Sequence, residues 1–410
     1  MGSLTSFDRY AAGTLEDPYP FYAALRREAP VHRDPRSGAF WVSRHEDLRR
    51  VVMSPETYSS NLVDRLFSRE ATSAQVVPLG SHGPKPVDVL ATVDAPSHTR
   101  QRKLVNPAFA PRRVAALEPV LRKLAQELLG PLAQSGGAEW MAAFARPFTL
   151  TLITDLLGLP RADIPRLRRW SDDGSSILSG INTAQEQARY GRSLMEFNRY
   201  LAARFEDAKA DPREDVLGTL VGAANASEGA LNTEEVVAVL VQLVSAGNES
   251  TASLIGSATR LLLEEPQLEA RLRREPALIP RFIEETLRLE SPFQAHFRIV
   301  RSDTELAGAK LRAGSQLMLL WGSGNRDERV FSNPDTLDLE RSNPSEQLAL
   351  GMGIHHCIGA ALARLEARVA LETLFAGTRS IRLDPDHPVR HRPSVHKRQL
   401  ESLHLKLEPA

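Results

Sequence analysis

Leu348-Ala-Leu-Gly-Met-Gly-Ile-His-His-Cys357-Ile-Gly-Ala-Ala-Leu-Ala-Arg-Leu-Glu-Ala-Arg-Val-Ala-Leu-Glu-Thr-Leu-Phe375 is the stretch of this 410-residue chain whose reading decides the fold. It holds the only cysteine. Ahead of Cys357, Gly351 and Gly353 permit a tight, irregular backbone that a Cβ would resist. Behind it, Ile358, Leu362, Leu365, Val369 and Phe375 recur mostly every three or four positions, the apolar stripe of a buried helix. Gly377 stands where that helix should stop. Cys357 is therefore predicted on a glycine-shaped loop at the mouth of a helix, where backbone N–H groups and the helix dipole favour thiolate over thiol. Gly359, just past the cysteine, lets a flat group come close to the backbone.

Three chemistries suit a lone cysteine so placed. It could pack as a small hydrophobe, act as a nucleophile with His355 or His356 as its base, or ligate a metal. The first two leave the bracketing glycines unexplained. Haem iron held by a Cys thiolate explains them, because a planar cofactor has to lie against the loop. The order Gly-x-Gly-x-His-x-Cys-x-Gly, from Gly351 to Gly359, resembles the haem-binding loop of the cytochrome P450 family. The resemblance implies haem b (iron protoporphyrin IX), Cys357 as its metal ligand, and Gly351, His355 and Gly359 as cofactor contacts. Leu350 departs from the family's usual Phe, a change that bears on the potential of the iron.

Composition narrows the class. The formal net charge is +0, so bulk electrostatics favour neither nucleic acid nor an anionic membrane surface. One cysteine rules out an intramolecular disulfide and suits a reducing compartment. The N-terminus lacks the apolar core of a signal peptide or anchor, and the longest apolar run, Val236 to Val244, is too short to span a bilayer. A cytoplasmic protein, monomeric and without a membrane anchor, is expected. No glycine- or serine-rich linker, charge run or repeat divides the chain, so residues 1–410 read as one mainly α domain with a small β region.

From the N-terminus, a proline-started helix opens at Asp17-Pro-Tyr-Pro. Val31-His-Arg and Ala39-Phe-Trp-Val flank the turn Asp34-Pro-Arg-Ser-Gly38 as a hairpin. Ser43 and Glu46 suggest a capping box for the next helix, and residues 17–60 make up this helix-and-sheet region. Residues 61–93 lack periodicity and read as a long loop; the family resemblance makes it the substrate-access loop, with Leu66, Phe67, Val76, Val77, Val87 and Leu90 as apolar contributors. Asp94-Ala-Pro-Ser-His98-Thr-Arg-Gln-Arg102 reads as a capped helix start with His98 and Arg102 on one face. It resembles the family's propionate-binding helix, which implies that both residues contact the haem. Helices are predicted over 112–130 and 140–158. Two more occupy 163–208 around the joint Asp173-Gly-Ser-Ser-Ile-Leu-Ser-Gly-Ile, the position of the family's lid.

Asn232 and Glu235 start a helix spanning 233–265, apolar nearly all round and so predicted to cross the interior. Midway it carries Ser245-Ala-Gly-Asn-Glu-Ser-Thr251, and burying Glu249 there is expensive unless it finds partners. Ala246-Gly-x-Glu-Ser-Thr resembles the family's oxygen-binding segment. That implies a local bulge, Ala246 and Gly247 against the haem, and Glu249 with Ser250 as a proton relay; Thr251 is the alternative alcohol. The family usually has Thr where Ser250 stands.

Glu285 and Arg288, with Arg341 downstream, resemble the family's bracing cluster, where Leu337 replaces its usual Phe. Ser291-Pro-Phe-Gln-Ala-His-Phe-Arg298 resembles the segment passing the haem edge. Arg298 is implied as a propionate ligand and Phe293, Gln294 and His296 as substrate contacts, with Gln242 and Ser245 on the central helix. No nucleotide fingerprint is present, so electrons have to come from a partner. A ferredoxin with its reductase is expected, docking by charge on Arg100, Lys103, Arg112, Arg113, Arg364 and Arg368. The resemblance implies a monooxygenase acting on a small organic molecule, by hydroxylation or epoxidation. A peroxide-dependent or non-oxygenative haem enzyme, or a haem sensor without turnover, stays open at this level.

Overall fold

The computed structural model describes residues 2–61, 89–177, 181–211, 214–226 and 229–410. Leu66, Phe67, Val76, Val77 and Val87 lie outside the described residues. Helix α1 (Tyr19–Glu28) starts behind Pro18 with a proline in its first turn, where a missing N–H has no helical partner to lose. It runs into the predicted hairpin, β1 (Val31–Arg33) antiparallel to β2 (Phe40–Val42), with Val31 opposite Val42.

Helix α2 (His45–Val52) follows without the expected capping box. Ser43 instead turns its hydroxyl to the Pro30 carbonyl at 3.1 Å, and the His45 N–H donates to Oδ2 of Asp327 at 2.9 Å. A carboxylate from the far half of the chain thus serves the helix's orphan donor. Strand β3 (Tyr58–Ser59) comes next. Helix α3 (Ser97–Val105) also lacks its expected side-chain cap, because Asp94 spends its carboxylate on Ser59, Ser60 and Arg301.

The helical layer is finer-grained than its periodicity suggested. The first predicted helix splits into a short piece, Pro111–Ala115, and α4 (Glu118–Gln134). After strand β4 (Gly137–Glu139), a π-helical turn at Met141–Ala145 precedes α5 (Arg146–Leu156). Helices α6 (Ile164–Ile177) and α7 (Ala184–Ala210) form the predicted pair. Here α6 runs on through Asp173 to Ile177, so Gly174, Ser175 and Ser176, expected in the joint, are helical instead.

Helix α8 (Thr233–Glu264) is the axis of the molecule. Asn232 and Glu235 close a reciprocal capping box at 2.8 and 3.0 Å, satisfying two donors that helix geometry leaves without partners. Residues on every side are buried, from Val236 and Leu240 to Ile255 and Leu262. The helix packs against α5, α6 and α7, then against α9 (Ile279–Leu289). The chain continues as β5 (Ala295–Val300), the hairpin β6 (Thr304–Leu306) and β7 (Ala309–Leu311), and β8 (Gln316–Leu320). Strands β1–β2–β8–β5–β3 form one sheet, parallel only between β2 and β8.

Helix α10 (Ala360–Gly377) also packs on α8. It leads to β9 (Thr378–Leu383), β10 (Arg390–His391), β11 (Leu400–Ser402) and β12 (His404–Pro409), with β12 seated between β4 and β9. No described helix is long and apolar enough to cross a membrane.

Candidate functional site

The cysteine loop has the predicted shape. Gly351 and Gly353 adopt φ of +69° and +70°, a region that side chains rarely enter. A Cβ on Gly353 would also sit 2.9 Å from the Val52 carbonyl. The Cys357 N–H donates to the Leu350 carbonyl at 2.8 Å. Beside the sulfur, a Cβ built on Gly359 would meet only Sγ of Cys357, at 4.0 Å. The loop therefore leaves open space next to the one thiol in the chain.

The expectation of a spontaneous thiolate is corrected. Burial pushes the Cys357 thiol above its ordinary value, although the Gly359 N–H, Arg102 and Arg364 pull the other way. A thiol of raised pKa is a poorer nucleophile, whereas a bound metal cation deprotonates a coordinating thiol outright. Among the described residues no three His, Cys, Asp or Glu side chains converge as a metal site, so a metal at Cys357 would need most of its ligands from a cofactor.

Three cation-capable side chains gather nearby. The His98 and His355 rings lie 4.1 Å apart, and Nε2 of each is buried without a partner. His355 Nδ1 meets the Leu90 carbonyl at 3.0 Å. Leu90 itself packs its side chain into the core beneath α6 and α7. Arg298 is buried and donates from Nη1 to the Phe297 carbonyl at 2.7 Å. Desolvation lowers its pKa to about 10, and lowers that of His355 to about 3 with Arg298 and His98 adding to the shift. Burial, then Arg102, lowers His98 as well. These groups suppress one another's charge, and Asp94 is otherwise engaged. A ligand bearing carboxylates would supply the missing opposite charge, which is the chemistry of haem propionates.

Arg102, close enough to act on His98, also reaches the cysteine loop. Its Nη1 donates to the Ile354 carbonyl at 2.8 Å and its Nη2 to the His356 carbonyl at 2.6 Å. It braces the cysteine loop through these two bonds.

On α8 the polar patch resolves face by face, without the bulge that the resemblance implied: the helix is continuous from Thr233 to Glu264. Ala246 is exposed although it stands midway along a buried helix, and Gly247 and Ser250 are half-buried. Residues four apart share a face, so Ala246 and Ser250 open on the same interior space. The Ser250 hydroxyl donates to the Ala246 carbonyl at 2.6 Å. Thr251, by contrast, is buried. Asn248 is tied down elsewhere, its carbonyl and amide oxygen accepting from Thr149 at 3.0 and 3.1 Å.

Glu249 is buried and paired with Lys397, Nζ to Oε2 at 2.9 Å. Ser175 and Gln399 also donate to Oε2, the latter at 3.0 Å. Sequence reasoning named Glu249 but none of its three partners. Lys397 is 148 positions away, and no local spacing signals such a pair.

The expected substrate contacts divide. His296 is exposed yet enclosed deeply enough for desolvation to lower its pKa to about 4; the two agree if its ring walls an interior cavity. Trp321 Nε1–H donates to its Nδ1 at 2.6 Å. An indole only donates, so the neutral ring carries its hydrogen on Nε2. Phe293 is half-buried beside it, ring centroids 5.0 Å apart. Gln294 is a correction: it is buried, donates to the Ser291 carbonyl at 2.8 Å, and packs against Gly322. Gln242 and Ser245 are half-buried on α8, and Ser245 lies 3.9 Å from where a Cβ on Gly174 of α6 would be.

Behind the loop, Glu285 (α9) takes Arg288 at 2.7 and 2.8 Å and Arg341 at 3.0 Å, all three buried. Phe331 lies under both guanidiniums. Arg288 also grips the Asn325 carbonyl, and the Asn325 side chain accepts the Leu348 N–H at 2.6 Å, where the cysteine loop begins. The expected basic face is smaller than the sequence suggested. Arg100, Arg364 and Arg368 are ion-paired with Glu235, Glu284 and Glu118. Lys103, Arg112 and Arg113 remain exposed and without ion-pair partners among the described residues.

With a cysteine loop, a buried bracing cluster and an interior polar helix in one chain, the comparisons are decisive. The family model described as Cytochrome P450 matches residues 185–398. Cytochrome P450 144 of Mycobacterium tuberculosis (strain ATCC 25618 / H37Rv) is 37% identical over 402 residues, 97% of this chain and 91% of that protein. The chain belongs to the cytochrome P450 family. Nocardicin C N-oxygenase of Nocardia uniformis subsp. tsuyamanensis is 35% identical, covering 90% of this chain and 89% of its own. The structure of cytochrome P450 CREJ in complex with (4-ethylphenyl) dihydrogen phosphate superposes with a TM-score of 0.91 at 28% identity, over 99% of this chain and 100% of that one. The protein is accordingly a P450 monooxygenase, an oxidoreductase with a haem-thiolate cofactor, a small-molecule substrate and a redox partner.

Proposed function

We propose that this P450 uses haem b, ligated by Cys357, to insert one atom of dioxygen into a small organic substrate, with electrons from a ferredoxin-type donor. The observation that carries the cofactor assignment is the pair of unpartnered imidazole nitrogens on His98 and His355 beside Arg298. These three groups would hold the propionates, and the open space at Gly359 and the accessible face of Ala246 suit the macrocycle. Arg102 would fix the loop carbonyls around the thiolate. The haem supplies reductive activation of dioxygen, which the thiolate favours by donating electron density. Dioxygen reduction consumes protons, and Ser250 presents a hydroxyl on the accessible face of α8 with the Glu249 carboxylate adjacent in sequence. Serine donates and accepts, so it can pass on a proton that a carboxyl supplies.

For substrate, His296 offers a fixed N–H donor next to the apolar face of Phe293. That combination suits a molecule with a hydrogen-bond acceptor on an apolar frame. Lys103, Arg112 and Arg113 would attract an acidic protein donor; a monomer is expected.

Arg298→Leu removes the one permanent cation of the propionate cradle. Haem retained after gel filtration should fall markedly, with the apo fraction rising. Unchanged haem content and melting temperature would remove Arg298 from the cradle.

Ser250→Ala should leave substrate binding intact, read as a Soret shift with a compound found by spectral screening. Product per electron should fall, with hydrogen peroxide rising to match. Thr251→Ala, altering a buried hydroxyl, should stay coupled. Uncoupling confined to the Thr251 variant would contradict the assignment. Ser250→Thr adds a methyl that narrows the rotamer choice and should couple at least as well as the parent.

A further inference from the structure

The three donors on Glu249 converge on a single oxygen. Ser175 Oγ, Lys397 Nζ and Gln399 Nε2 all reach Oε2, whereas Oε1 is buried with no partner. The donors come from two elements: Ser175 from α6, Lys397 and Gln399 from the segment leading into β11. Lys397 also donates to Ser175, so the lysine and the helix are joined even apart from the carboxylate. Its segment is held in turn by a bridge between Phe293 and Lys397, with the ammonium 5.4 Å from the Phe293 ring centroid.

We propose that Lys397 is a positioning residue: with Ser175 and Gln399 it clamps Oε2 of Glu249, leaving Oε1 as the oxygen through which that residue exchanges protons. The proposal rests on reading Glu249 as a proton carrier. A carboxylate gripped through both oxygens has no free site to take up a proton, and one gripped through neither can rotate out of line. One-sided clamping avoids both. Lys397 is also the one cation within ion-pair distance of Glu249 among the described residues. The other charged groups facing this region are Asp172, one turn before Ser175 on α6, and Arg146, Arg168 and Arg392 around it. Burial and then Glu249 raise Asp172, while the arginines oppose the shift. Because the clamp joins α6 to α8 and to the C-terminal strands, displacing α6 would release Ser175 and loosen it.

The test is infrared titration of the carboxyl C=O stretch in the haem-loaded enzyme. The Glu249 band is assigned as the one lost in Glu249→Gln, which separates it from other buried carboxyls such as Glu366. Lys397→Met keeps an unbranched side chain one atom shorter and removes its charge. Losing a close opposite charge should move the titration of Glu249 upward by about 1–3 pH units. Lys397→Arg should keep it near the parent's, a rescue that packing alone would not give. Ser175→Ala, which leaves the lysine in place, should move it upward by less; it stands in if Lys397→Met fails to fold. A Glu249 band that titrates in Lys397→Met as in the parent overturns the clamp, as does an unmoved band in Ser175→Ala when that variant stands in. Neither readout depends on turnover. A failed relay is seen separately, if Glu249→Gln keeps product per electron unchanged.

Discussion

Glu285→Gln is expected to destabilise the protein by about 3–5 kcal/mol, toward the upper end of that range, because removing one partner of a buried ion pair leaves the other charge uncompensated. Two guanidiniums depend on this carboxylate, those of Arg288 and Arg341. The amide keeps the shape and removes the charge, so the loss is electrostatic and not a cavity. The Asp338 N–H, which donates to Oε2 at 3.0 Å, weakens too. Arg288 spends its donors on Glu285 twice and on the carbonyls of Asn325, Pro334 and Thr336. A lysine cannot reproduce that fork, so Arg288→Lys should fail nearly as badly. Because Asn325 links the cluster to Leu348, the damage should reach the cysteine loop: haem occupancy falls along with the denaturant midpoint. Urea unfolding of the parent and both variants measures it. A Glu285→Gln protein within about 1 kcal/mol of the parent, with full haem, would show that the cluster does not brace the site.

What the sequence made legible was local. Positive φ at Gly351 and Gly353, the Asn232–Glu235 box and the turn joining β1 to β2 each depend on residues within a few positions of one another. Backbone chemistry dictates such features wherever they stand. The Glu285–Arg288 pair was legible only with the family pattern beside it, since spacing by three is common in any helix. Two of the capping misreadings share one physical cause: a polar side chain chose a distant partner over the near one. Ser43 and Asp94 had nearby helix termini to cap and went elsewhere, while Asp327 capped α2 from the far half of the chain. Arg102 and His98 share a helix turn, and the fold gives each a partner that no local spacing shows: loop carbonyls for one, the His355 ring for the other. Gln294 looked like a substrate contact from its place before Arg298, and the close approach of Gly322 draws it into the scaffold instead. Glu249 is the sharpest case. Its sequence declared that a buried carboxylate needs a partner, and only the fold supplies Lys397.

The central claim is that Cys357 is the thiolate ligand of haem iron, and the carbon monoxide complex of the reduced protein tests it most directly. Thiolate ligation gives a Soret band at about 450 nm in that complex. Cys357→Ala removes the only thiol in the chain, so no second thiolate can take its place. The parent should show the band near 450 nm and Cys357→Ala should lose it entirely. A parent complex absorbing as a histidine-ligated haem does, or a Cys357→Ala variant that keeps the thiolate band, would contradict the account.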